Sequence, residues 1–231
     1  MDALTRFRLL SGIIVAGSFL AVRAAEAGPP LICHDIEIGE AKSLPWRSGL
    51  DSDKAYDRQR LTADTLKLLT AETPVIVRME TLRRAAIYAS EKPALRSELL
   101  SALQTRILNA EARKEPDALA WFDAGYLSAC CEQLDHSSKH AAEAPTSLTW
   151  MKKAASLRPD DAQIDFALAL TTSMCKQETG GWHEHPDHKQ YLRKAIAGAK
   201  GGDLIARNLV LRFSRDGKGS LDQLRKQYAR G

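Results

Sequence analysis

The sequence predicts an all-α protein: an array of about four helix pairs, preceded by an extended N-terminal segment and one leading helix. Chain punctuation recurs at Pro74, Pro116, Pro159 and the pair Gly201-Gly202, at spacings of 42, 43 and 42 residues. A fixed period in this range marks stacked supersecondary units rather than one globule. Between the breaks, apolar residues fall at three-to-four-residue steps, the mark of helices with one buried face.

The chain begins with the pattern of a targeting segment. Arg6 and Arg8 precede an apolar run of 14 residues, 9–22, and Ala25-Glu26-Ala27 forms a small-x-small site. Residues 1–27 are therefore expected to be a signal peptide, because the run is short of the about 20 residues a membrane span requires. An uncleaved anchor is the alternative, since Arg23 directly follows the run. Cleavage places the chain in the periplasm or outside the cell and leaves no membrane span. The remaining 204 residues carry 30 basic and 27 acidic side chains, once Asp2, Arg6, Arg8, Arg23 and Glu26 are removed. A net charge of +3 so evenly interleaved argues against nucleic acid or anionic lipid as the partner.

Residues 28–52 contain Ile32, Ile36 and Ile38 without a helical period, and read as an extended segment laid along the first helices. The helical domain is expected over 53–231. Its leading helix, 53–70, buries Tyr56, Leu61, Leu66 and Leu69. The first unit starts at Pro74 and turns Met79, Leu82, Ala86 and Ala89 inward. Its partner opens at Pro93, where a proline in the first turn gives up only a donor that has no intrahelical acceptor. Leu95, Leu99, Ala102, Ile107 and Ala110 form that helix's stripe.

The second unit opens at Pro116 and Asp117. Trp121, Ala124, Gly125, Ser128 and Cys131 share one face, an aromatic followed by small residues, which lets another helix approach closely. That helix holds Leu148, Met151 and Ala155. The third unit pairs 162–176 with 186–199, and the fourth pairs 203–214 with a short C-terminal helix. Ser220 and Gln223 have the spacing of a capping box for this last helix. Asp160 and Asp161 likewise suit a helix start, where carboxylates cap free amides and favour the dipole.

Residues 74–231 resemble the tetratricopeptide repeat (TPR). Trp121 matches the family's first-helix aromatic, Gly125 its glycine, Leu168 with Ala169 its Leu-Gly pair, Ala154 its second-helix alanine and Pro159 its stop. The period departs from the family's ~34 residues, and the extra length lies between the helices of a unit, as in the polar run 135–144. The N-terminal part is similar to that of secreted bacterial proteins of uncharacterised activity that continue into helical repeats. The resemblance implies a TPR-like α-α superhelix whose first helices line a groove for a peptide or partner protein. By helical phase, Arg83, Phe122, Tyr126 and Asp165 are the expected groove residues.

A second expectation concerns metal or redox chemistry. His183, His185 and His188, with two carboxylates between them, are ligand types suited to zinc, copper or nickel, although His185 equally suits a helix cap. Of the cysteines, Cys131 with Cys175 and Cys33 with Cys130 are the expected disulfide pairs, and simple burial of small apolar thiols is the alternative. No glycine-rich phosphate loop, nucleophile elbow or Cys-x-x-Cys pair occurs. The expected function is thus a non-enzymatic, exported binding scaffold without cofactor. A metal-binding or redox-responsive envelope protein is the alternative, and a purely structural envelope role is a third reading.

Overall fold

Asp117, Asp161, Asp203 and Ser220 each open a helix in the computed structural model, which describes residues 30–135, 146–176 and 182–229. Asp117 accepts from the amides of Leu119 and Ala120, Asp161 from that of Gln163 and Asp203 from that of Ala206. These bonds satisfy donors that a helix start otherwise leaves open. Ser220 and Gln223 close the capping box from both sides.

The described residues are mostly helical. In chain order the helices are α1 (Leu61–Leu68), α2 (Val75–Ala89), α3 (Pro93–Ala112), α4 (Ala118–Leu134), α5 (Thr146–Leu157), α6 (Ala162–Ser173), α7 (His188–Gly198), α8 (Leu204–Phe213) and α9 (Leu221–Tyr228). Two small antiparallel ladders accompany them. Strands β1 (Trp46–Ser48) and β2 (Asp51–Ser52) pair near the N-terminus, and β3 (Cys175–Lys176) and β4 (Trp182–His183) pair between α6 and α7. Among the described residues no helix is long and apolar enough to cross a membrane. The expected targeting segment 1–27, most of the polar run 135–144, and the side chains of Cys175 and Trp182 lie outside the described residues.

Two boundaries differ from the sequence reading by three residues or more. The leading helix is confined to α1 and a preceding 3-10 turn (Arg58–Arg60), because Asp53 takes the amide of Ala55 and Asp57 takes that of Gln59. Aspartates that bond their own backbone two residues on stabilise turns at the expense of helix. Helix α6 stops at Ser173 rather than continuing to 176. Thr171, Thr172 and Ser173 each turn a hydroxyl back onto a carbonyl three or four residues earlier, and Met174 is extended, leading into β3.

Two consecutive pairs pack extensively, α4 with α5 and α6 with α7, whereas α2 and α3, expected to form the first unit, touch each other little and each lie mainly against α4. The α4–α5 approach is as close as the small residues predict. A Cβ placed on Gly125 would stand 2.8 Å from Met151 Cγ and 3.0 Å from both the Met151 nitrogen and the Ser147 oxygen. Alongside it, Trp121 meets Trp150 edge to face at 6.5 Å. Gly198 makes the corresponding approach in the next pair, where an added Cβ would meet the Ala162 Cβ at 2.6 Å.

Residues 30–53 lie across the helices on the side of α2 and α8, but not as one extended run: 30–34 and 39–40 form turns and bends, and Gly49 turns the chain between β1 and β2. Leu31, Ile32, Ile36, Ile38 and Leu44 are buried there, as the spacing of the isoleucines predicts. Covered on this side by the segment and flanked elsewhere by other helices, α2 is buried almost all round, and α4 and α6 are buried over most of their length.

Candidate functional site

The four residues that helical phase assigns to a partner groove are core residues. Arg83, Phe122 and Tyr126 are fully buried and Asp165 is 5% exposed. Phe122 stacks on Tyr126 at 5.5 Å. Phase identifies the side of a helix but not what covers it, and here the protein's own segment 30–53 covers the face to which Arg83 belongs. The resulting seam is the most elaborate polar arrangement among the described residues.

Its construction starts with side chains that the helices hold rigidly against the segment's main chain. On α2, Glu80 Oε2 accepts from the Ile36 amide at 2.9 Å, Arg84 donates to the Leu44 carbonyl at 2.7 Å and the Tyr88 hydroxyl donates to the Pro45 carbonyl at 2.6 Å. From the end of α4, Gln133 Oε1 accepts from the Leu31 amide at 2.9 Å. On α8, Asn208 reads Glu37 in both senses, accepting from its amide and donating to its carbonyl, each at 2.8 Å. Arg212 donates to the His34 carbonyl at 2.9 Å. A neighbouring strand would satisfy an extended chain in the same manner, through its peptide groups rather than its side chains.

Charge adds selectivity to this grip. Arg83 pairs with Asp35 and donates to the Gly49 carbonyl at 2.9 Å, and Arg207 pairs with Glu37 at 2.6 Å. Trp46 packs beneath the guanidinium groups of Arg83 and Arg84, at 5.3 and 5.8 Å from its ring centre. Burial brings the Arg83 pKa down to about 10 and pushes the Glu80 carboxyl above its ordinary value, against the pull of Arg84. Tyr126 lies among Cys130, Arg212, Glu80 and Arg83, and its hydroxyl is buried without a hydrogen-bond partner.

The cysteines enter this region as thiols. Cys33, Cys130 and Cys131 are free, so neither expected pairing is formed by them. The segment that a Cys33–Cys130 bridge was expected to pin is held instead by Gln133 and Glu80. Burial raises the Cys130 thiol pKa well above its ordinary value and pushes that of Cys131 up to about 12, which keeps both protonated and unreactive at neutral pH.

The three histidines take separate paths. His188 is buried, with Nδ1 2.9 Å from the Ala169 carbonyl and its ring beside Phe213. His185 Nδ1 accepts from the Asp187 amide at 3.1 Å, closing a local turn ahead of α7, whose N-cap position is taken by the neighbouring Asp187 rather than by His185. His183 Nδ1 is buried without a hydrogen-bond partner. Among the described residues no three metal-ligating side chains converge, because the chain bends into α7 and directs His188 back onto α6.

No protein-family model, curated protein or solved structure matches the chain. The site must therefore be read from its own geometry. Sequence reasoning missed Glu80, Gln133, Asn208 and Arg212. A usable signal existed for one of them, since Asn208 falls among Ile205, Ala206 and Leu209 on the buried side of α8. A polar residue at such a position requires a partner.

Proposed function

We propose that this protein is an exported, non-enzymatic, TPR-like scaffold that binds an extended peptide or a partner protein. The observation that carries this reading is the seam itself: helical side chains grip 30–53 by its peptide groups. A surface that holds one non-helical segment through its main chain is chemically equipped to hold another. The pairing of α4 with α5 and α6 with α7, and the close approaches at Gly125 and Gly198, support the TPR-like arrangement.

The test is capture from an envelope extract with the full chain, produced by export into an oxidising compartment. The expected result is one stoichiometric partner identified by mass spectrometry, together with N-terminal sequencing that places the start of the exported chain at Gly28. A folded, helical protein that captures nothing at micromolar concentration overturns the scaffold reading. Recovery of the chain in the cytoplasm with Met1 or Asp2 at its start overturns the export.

A further inference from the structure

We propose that residues 30–38 are the molecule's own occupant of a peptide seat, and that in trans this seat takes a partner protein's extended segment alternating acidic and aliphatic residues. The proposal deepens the scaffold reading and rests on it.

The contacts define what fits. Ile36 and Ile38 are buried, while Asp35 and Glu37 between and beside them meet Arg83 and Arg207. Among the described residues, Arg83, Arg207 and Arg212 reach the segment against one wall carboxylate, Glu80, which is itself paired with Arg84, so the seat is complementary to an acidic occupant. The main chain is read at Leu31 and His34, in the turn and bend that open the segment, and at Ile36 and Glu37 in the run 35–38 beyond them, which fixes the backbone without dictating the remaining side chains.

Three further features mark 30–38 as a separable occupant. It joins the rest of the chain through residues 39–42, which are all exposed, and Gly39 has φ +58°, a conformation natural to glycine. Beneath it the fit is incomplete: the Tyr126 hydroxyl has no partner, and Arg83 Nε stands 3.2 Å from Glu80 Oε2 but off the line of a hydrogen bond. Beside it, a cleft of about 570 Å³ bordered by Glu37, Arg207, Leu211 and Leu221 is open to solvent. Leu211 is 48% exposed in that cleft, an apolar foothold from which an incoming chain reaches the Glu37 end of the segment.

Two measurements on the full chain test this. Hydrogen exchange of the wild-type protein should show the amides of Ile36 and Glu37 exchanging at least about 10-fold faster than those of α4, through an opening that leaves the helices intact. Binding is then measured with a fluorescein-labelled peptide of residues 30–38 carrying Cys33→Ser. A full-length Ile36→Ala/Ile38→Ala variant should bind it at least about 10-fold more tightly than wild type, because the tethered segment competes at millimolar effective concentration. The same peptide carrying Asp35→Lys and Glu37→Lys should not bind.

Exchange of Ile36 and Glu37 only with global unfolding makes the segment an integral part of the core and overturns the proposal, even if the double variant fails to fold. A folded variant that ignores the peptide, or binds the lysine peptide equally, does the same. Dimers of the variant that exclude the peptide, seen by light scattering, assign the seat to a second copy and overturn the partner. A partner captured by a chain whose segment never opens leaves the scaffold reading standing and removes this inference alone.

Discussion

Helix α4 presents two unlike faces, and each fails in its own way when disturbed. Toward α5 it is built from small and aromatic residues, with Gly125 admitting the Met151 backbone. Toward α2 and α3 it carries Asp123, fully buried, which accepts from Arg78 Nη1 at 2.6 Å and from Arg106 Nη1 at 3.0 Å. The first face depends on shape, which tolerates no added volume. The second depends on compensation, which tolerates no missing partner. One helix therefore joins an apolar seam to a polar one, and substitutions separate the two.

The largest effect is expected on the polar face. Asp123→Ala leaves Arg78 buried without its carboxylate, and losing one partner of such a pair costs about 3–5 kcal/mol, measured by denaturant unfolding. Arg78 keeps its bonds to the Thr73 and Thr70 carbonyls, so the charge stays in place rather than escaping to solvent. The same aspartate gives a pH signature. Burial raises its pKa from 3.8 to about 6, outweighing Arg78 and Arg106, and burial does the same to Asp165. The folded chain then keeps protons that the unfolded chain releases between about pH 4 and 6. These groups therefore contribute stability at low pH that is lost as pH rises through that window. A shallower decline in Asp123→Asn than in wild type is the expected outcome, and an unchanged one removes Asp123 as the cause.

On the apolar face, Gly125→Ala should cost about 1–3 kcal/mol by overpacking, because two of the three atoms the new Cβ would meet are backbone and cannot rotate away. Gly201→Ala is the control: nothing lies within 4 Å of a Cβ there, and its stability should stay near that of wild type. Equal losses at both positions would show that the α4–α5 approach is not the limiting contact.

The two faces also differ in how far the sequence reveals them. Gly125, Ser128 and Cys131 announce a close helix approach because small residues at helical spacing have few other uses, and the capping box at Ser220 is local enough to read outright. Ile32, Ile36 and Ile38 likewise announce burial. What covers Arg83 is a different kind of fact. Its contact with Asp35 spans 48 positions, and that of Asn208 with Glu37 spans 171. A period along one helix cannot encode either, so Arg83, Phe122, Tyr126 and Asp165 read as groove residues when they are core. The histidines mislead for a related reason: proximity in sequence is broken by the bend into α7, which turns His188 inward.

The smallest pair of predictions turns that distinction into a measurement. Asn208→Ala removes both bonds to Glu37 in a partly buried seam and should cost about 1–2 kcal/mol. Ser220→Ala removes a surface N-cap and should cost about 1 kcal/mol or less. Their magnitudes nearly overlap, so hydrogen exchange rather than unfolding tells them apart. Loss of the Ser220 cap should speed exchange in α9, whose first turn it closes, and leave 30–38 as it was. Loss of Asn208 should speed exchange at Ile36 and Glu37, far away in sequence, with little change in α9. If Asn208→Ala instead loosens only α8, the segment is held by its buried isoleucines and its other main-chain bonds, and the two Asn208 bonds set the register at Glu37 without securing it.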